Sequence, residues 1–198
     1  GHIKASQIPA KDYPQESLQN EQRRAEKEDD VPHDVISIGF HMPSRLHDDY
    51  YTMDLISDIL ANGNSSRFKT KLVKQAHVFT ELDAYIYGSI DPGLLVITGY
   101  PESSVSLNDA EQAIFEELDL LANTEIASRE LQKAKNKALS SWMFINQDAK
   151  NKAFHLAYFE MLGNASLINT EEEKYREVVE NDIQKAAKRY LRRTNSSV

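Results

Sequence analysis

Apolar side chains occupy every second position over residues 35–42. Ile36, Ile38, Phe40 and Met42 share one side, which predicts a β-strand that Pro43 ends. Asp48 then opens a helix to about residue 61. Thr52, Leu55, Ile56, Ile59 and Leu60 form its stripe, and Asn62-Gly63 supplies a C-terminal stop. A second helix is expected over residues 65–75, capped by Ser65-Ser66. Alternation resumes over residues 78–88. Val78, Thr80, Leu82, Ala84 and Ile86 fall on one face. Phe79, Glu81, Asp83, Tyr85 and Tyr87 fall on the other, which is half wet and half aromatic. Asp91-Pro92-Gly93 suits a type II turn. Residues 94–100 return apolar on both faces, the mark of a central strand.

The second half reads as helical. Ser106 with Asp109 caps a helix that ends near Ala122. Ser128 opens a stretch with few breakers before Gly163, long enough that a bend is expected near Asn146-Gln147. Thr170 with Glu173 and Asn181 with Gln184 suggest two more caps. Ile183, Ala186, Ala187, Tyr190 and Leu191 form the last stripe. Hairpin-linked strands beside segregated helices predict an α+β fold, a mostly antiparallel sheet with helices packed mainly on one face. Residues 1–19 read as a solvated linker or terminal remnant, and residues 20–28 as a polar edge strand. The chain opens Gly1-His2 and closes on Asn195-Ser-Ser-Val198, the start of a strand. The expectation is a single lobe over residues 20–198, with its last strand truncated, from a longer protein.

Composition narrows the function. The 198 residues carry 31 acids against 23 bases, a net charge of −8, which disfavours nucleic acid as a partner. With no cysteine, disulfides and thiolate metal sites are excluded, which fits a bacterial cytoplasm or periplasm equally. No apolar run reaches the length of a membrane span.

Chemistry is sparse. His2, His33, His41, His47, His77 and His155 include no His-Glu-x-x-His or His-x-x-Glu-His spacing, so no metal ligands are expected here. His155 reads as a helix packing position, and His47-Asp48-Asp49 as a helix start. There is no glycine-rich phosphate loop and no Gly-x-Ser-x-Gly nucleophile, so no catalytic residue is assigned.

A resemblance takes the reading further. Gly63-Asn-Ser-Ser-Arg67, Lys71-Leu-Val-Lys74, Phe79-Thr-Glu-Leu-Asp-Ala-Tyr85 and Ile90-Asp-Pro-Gly-Leu94 occur in that order. Ser128-Arg-Glu-Leu-Gln-Lys-Ala-Lys135, Leu162-Gly163 and Val178-Val-Glu-Asn-Asp-Ile-Gln184 follow. The series resembles the insulinase/pitrilysin-type zinc peptidases, in particular bacterial members related to mitochondrial processing peptidase. In that family a lobe bearing His-x-x-Glu-His binds zinc, and a second, zinc-free lobe of similar fold closes a peptide-binding chamber. The missing motif makes this chain similar to the zinc-free lobe. The resemblance implies peptide as substrate, no cofactor in this chain, and zinc in a catalytic N-terminal lobe or partner subunit. It also implies an Arg and a Tyr reaching the scissile carbonyl, at positions that here hold Val73 and Thr80. Neither replacement reproduces the hydrogen-bond donors that would stabilise an oxyanion. Thr80, Tyr85 and Tyr87 remain as candidate peptide contacts, with a structural homologue lacking catalysis as the alternative.

Overall fold

The computed structural model describes residues 16–88 and 90–198. The expectation for residues 1–19 falls largely outside them. Four strands, β1 (Ile36–Met42), β2 (Phe79–Tyr87), β3 (Gly93–Pro101) and β4 (Ser196–Ser197), form an antiparallel sheet in the order β2-β3-β1-β4. β3 is central, as its apolar run implies, and β2 lies at an edge. Beside β4, Arg23 makes one isolated parallel bridge to Ser197. The polar edge strand expected over residues 20–28 is thus a short pairing over residues 23–25, where Arg23 N–H donates to the Ser196 carbonyl, Ala25 N–H to that of Val198, and Val198 N–H to that of Arg23.

The helices are α1 (Asp49–Ala61), α2 (Leu107–Asn123), α3 (Ser128–Ile145), α4 (Ala149–Met161), α5 (Glu171–Glu177) and α6 (Glu180–Tyr190). α1, α2 and α6 reach the strands and cover one face of the sheet. From β1, Ile36, Ile38, Phe40 and Met42 enter the core; Leu82 comes from β2, and Leu95 and Ile97 from β3. Each large apolar side chain so buried contributes about 1.5–3 kcal/mol, which makes this layer the main source of stability.

Local chemistry explains the element ends. Gly63 has φ +100°, the left-handed conformation that stops α1. The Ser106 hydroxyl accepts from the Asp109 amide at 3.1 Å to start α2. The expected break in the long helix lies between α3 and α4, where the Asp148 carboxylate accepts from Asn151 N–H at 2.9 Å and restarts the helix.

Several details differ from the sequence reading. Residues Phe68–Gln75 wind as a π-helix without a side-chain cap, and the Ser66 hydroxyl is buried without a partner. Gly93 lacks the positive φ of a type II turn. Glycine is needed there because a Cβ would clash with the Tyr87 carbonyl oxygen. The Thr170 hydroxyl donates to the Leu167 carbonyl instead of capping α5. α6 begins before Asn181, with the Asp182 carboxylate accepting from Val179 N–H at 3.0 Å.

Candidate functional site

Helices cover one face of the sheet, and the site is built on the other. β1, β3 and β2 align residues across this open face in rows. His41 stands beside Leu94 and Tyr87, Gly39 beside Val96 and Tyr85, and Ser37 beside Thr98 and Asp83. Tyr100 and Glu81 make the next row. The Ser37 and Thr98 hydroxyls are 3.0 Å apart, a cross-strand polar pair. At one end Tyr85 and Tyr87 stand 39% and 61% exposed, more than an aromatic pair needed only for the core would be. Their rings meet edge to face at 5.2 Å, and the Tyr85 phenol raises the Tyr87 phenol above its ordinary pKa.

Acids gather toward the other end. A groove of about 690 Å³ there is lined by Asp34, Thr80, Glu81, Tyr100 and Glu102, among others. Asp34, Glu81, Asp83 and Glu102 have no ion-pair partner among the described residues. Elsewhere, Glu111, Glu117 and Glu171 are each held by Arg or Lys.

The alternation at the start of β2 misleads. Phe79 pairs with Pro101 and Glu81 with Tyr100, so Thr80 is the extra residue of a β-bulge. The bulge sends Phe79 into the core and turns Thr80 outward, the reverse of the strict period-two reading. The Thr80 hydroxyl then donates to the Tyr100 carbonyl at 3.0 Å, at the rim of the groove. Val73 lies on the π-helix, partly buried against the core. The structure therefore brings Tyr85 and Tyr87 together, with Thr80 at the far end of the same strand.

The histidines among the described residues do not converge. The His41 imidazole is 3.5 Å from Glu16, and His47 Nδ1 accepts from Asp49 N–H. His155 stacks on Trp142 at 4.8 Å. Among the described residues no three His, Asp or Glu side chains gather as a metal-binding group. These donors therefore do not fit zinc. Nor is any helix among them long and apolar enough to cross a membrane.

One polar cluster escapes sequence reasoning. Buried Arg45 donates to Glu171 at 2.6 Å and to the Tyr51 hydroxyl at 2.9 Å, and Tyr51 donates to the same carboxylate. Burial opposes the Arg45 charge, but Glu171 outweighs it and holds the guanidinium above its ordinary pKa. Beside it the Tyr175 hydroxyl donates to Asp54 at 2.5 Å, and burial pushes the Asp54 carboxyl up to about 6. The cluster fastens α5 to α1 under the helical layer, away from the open face. Apart from Arg45 and Tyr51, its partners lie 120 or more residues apart in sequence, 126 for Arg45 and Glu171, so no local spacing could announce the cluster.

The fold is shared with solved structures. The chain aligns over 91% of its length with a protease from Helicobacter pylori at TM-score 0.84 and 19% identity, covering 44% of that chain. It therefore spans less than half the length of that protease. A candidate zinc protease from Bordetella pertussis Tohama I aligns over 82% of this chain and 89% of its own, at TM-score 0.74 and 25% identity. A chain of Complex III2 from Candida albicans aligns over 91% of this chain and 45% of its own, at TM-score 0.73 and 17% identity. No curated protein sequence is a significant match. The sequence of residues 1–138 matches the family described as the peptidase M16 inactive domain. With that match over more than half its length, the chain belongs to the peptidase M16 inactive-domain family.

Proposed function

We propose that this chain is the zinc-free lobe of a two-lobed zinc metallopeptidase, and that the open face of its sheet is a wall against which peptide is held. The observation that supports this reading is the exposed Tyr85–Tyr87 pair on a face that no described helix covers. Tyrosines offer a peptide large apolar area with a polar tip, at little cost in side-chain freedom. The catalytic lobe, in the same polypeptide or in a partner subunit, would hold the zinc and supply its activated water. The span of under half the Helicobacter pylori protease is consistent with a second lobe. In this arrangement Thr80, Tyr85 and Tyr87 contact peptide but perform no proton transfer.

In the two-lobed protein, replacing both Tyr85 and Tyr87 by Ser is expected to raise KM about three- to tenfold with kcat little changed, because only ground-state contacts are lost. An unchanged KM across a peptide panel overturns the reading. A second reading, a structural homologue without catalysis, draws support from Val73 and Thr80, which provide neither the Arg nor the Tyr donor. It predicts that the two-lobed protein with zinc supplied cleaves no peptide.

A further inference from the structure

The open face carries a notch at its centre. The row through Gly39 reads Ser197, Gly39, Val96, Tyr85 across β4, β1, β3 and β2, so side-chain size falls to nothing at Gly39. A Cβ built on Gly39 would meet no atom of the described residues within 4 Å, and the backbone there has no positive φ. Neither conformation nor packing among the described residues therefore demands glycine. A strand-interior glycine costs stability relative to a β-branched residue, and one common reason for it is close approach by a ligand. Along β1 the notch lies between Ser37 and His41, each two residues away and therefore about 7 Å off.

Acids without an ion-pair partner among the described residues lie on one side of the notch. Asp83, in the next row, and Glu81, in the row beyond, lack ion-pair partners among the described residues. In the opposite direction stand Leu94, Tyr87 and His41, whose imidazole lies 3.5 Å from Glu16.

Resting on the reading that peptide lies on this face, we infer that Gly39 is the floor of a specificity subsite. The occupant is a peptide in extended conformation running along β1, with a bulky apolar or aromatic side chain over Gly39 and, two positions on over Ser37, a basic residue whose long side chain reaches across Thr98 toward Asp83. The register follows from geometry. Side chains on one side of an extended peptide repeat every two residues, about 7 Å, which matches the spacing of the rows beneath. Val96 and Tyr85 flank the bulky side chain on one side, and the unpaired carboxylates select the charge of its neighbour.

The test uses the full chain and four fluorescently labelled peptides, with Phe or Ala at one position and Lys or Glu two residues on. Binding is read by anisotropy. Wild type should bind the Phe/Lys peptide most tightly. Gly39→Val should weaken both Phe peptides on the order of tenfold, leave the Ala peptides unchanged, and keep its thermal melt. Asp83→Asn should abolish the preference for Lys over Glu. Tyr85→Ser separates this inference from the reading beneath it. If Tyr85→Ser weakens binding while Gly39→Val does not, the subsite is overturned and the peptide-facing wall stands. If neither substitution alters any affinity, or no peptide binds up to millimolar concentration, both fall.

Discussion

The two faces of this sheet differ in what holds their residues in place. On the covered face Ile38, Phe40, Leu82, Leu95 and Ile97 are fully buried, and each fills space that another side chain would leave empty. On the open face two of the sheet's strands, β1 and β2, present Ser37, Gly39, Asp83, Tyr85 and Tyr87, none of them buried. Folding dictates the first set. It leaves the second set free to be chosen for whatever the face meets. Substitutions should therefore separate the faces: one should govern stability, the other binding.

The largest effect is expected on the covered face. Phe40 is fully buried and packs edge to face on Phe115 of α2, 6.0 Å between ring centroids. Phe40→Ala removes that contact and leaves a cavity between sheet and helices. It should lower unfolding stability by about 3–5 kcal/mol in denaturant titration. A loss below about 1 kcal/mol would mean the covered face is loosely packed and the contrast between the faces is wrong.

The covered face was also the legible one. The apolar alternation of β1, the stripe of α1, the stop at Gly63 and the break before Asp148 all follow from side-chain period or local hydrogen bonding, and the fold realises them. β2 was legible only in part. Its acidic-aromatic side was readable from Glu81 to Tyr87, but the bulge at Thr80 was not, because a bulge depends on the strand opposite. The same limit hides the role of Gly39. In sequence it is one glycine inside an apolar run, and only the register against Val96 and Ser197 shows a notch. Arg45 with Glu171, and Asp54 with Tyr175, were invisible for the same reason: they join residues more than a hundred positions apart.

A smaller effect is expected from that buried cluster, which belongs to the covered side. The Asp54 carboxyl titrates near 6 in the folded chain, above its ordinary range, chiefly because burial disfavours its charge. A carboxyl with a raised folded pKa holds its proton more tightly folded than unfolded. Its contribution to stability is therefore fully present below pH 4 and is lost as pH rises through about 6. Between pH 5 and 7.5 this amounts to about 1 kcal/mol. Asp54→Asn should flatten the stability profile over that window by about this amount. An unaltered profile would show that Asp54 is charged and solvated in the folded chain.

The smallest effect on stability belongs to the open face, and there the comparison is most easily broken. Tyr87 is 61% exposed on an edge strand, with Tyr85 beside it and Leu94 across from it. Truncating it to Ser loses one edge-to-face contact and some β-propensity, each below about 1 kcal/mol, but opens no cavity. Tyr87→Ser should therefore leave the unfolding midpoint close to wild type while weakening peptide binding. If it instead destabilised the chain by as much as Phe40→Ala, the tyrosines would be structural, and their exposure would not signal a ligand. If it changed neither quantity, the open face would owe its tyrosines to something other than peptide, and the acids at Asp83 and Glu81 would be the remaining feature to test.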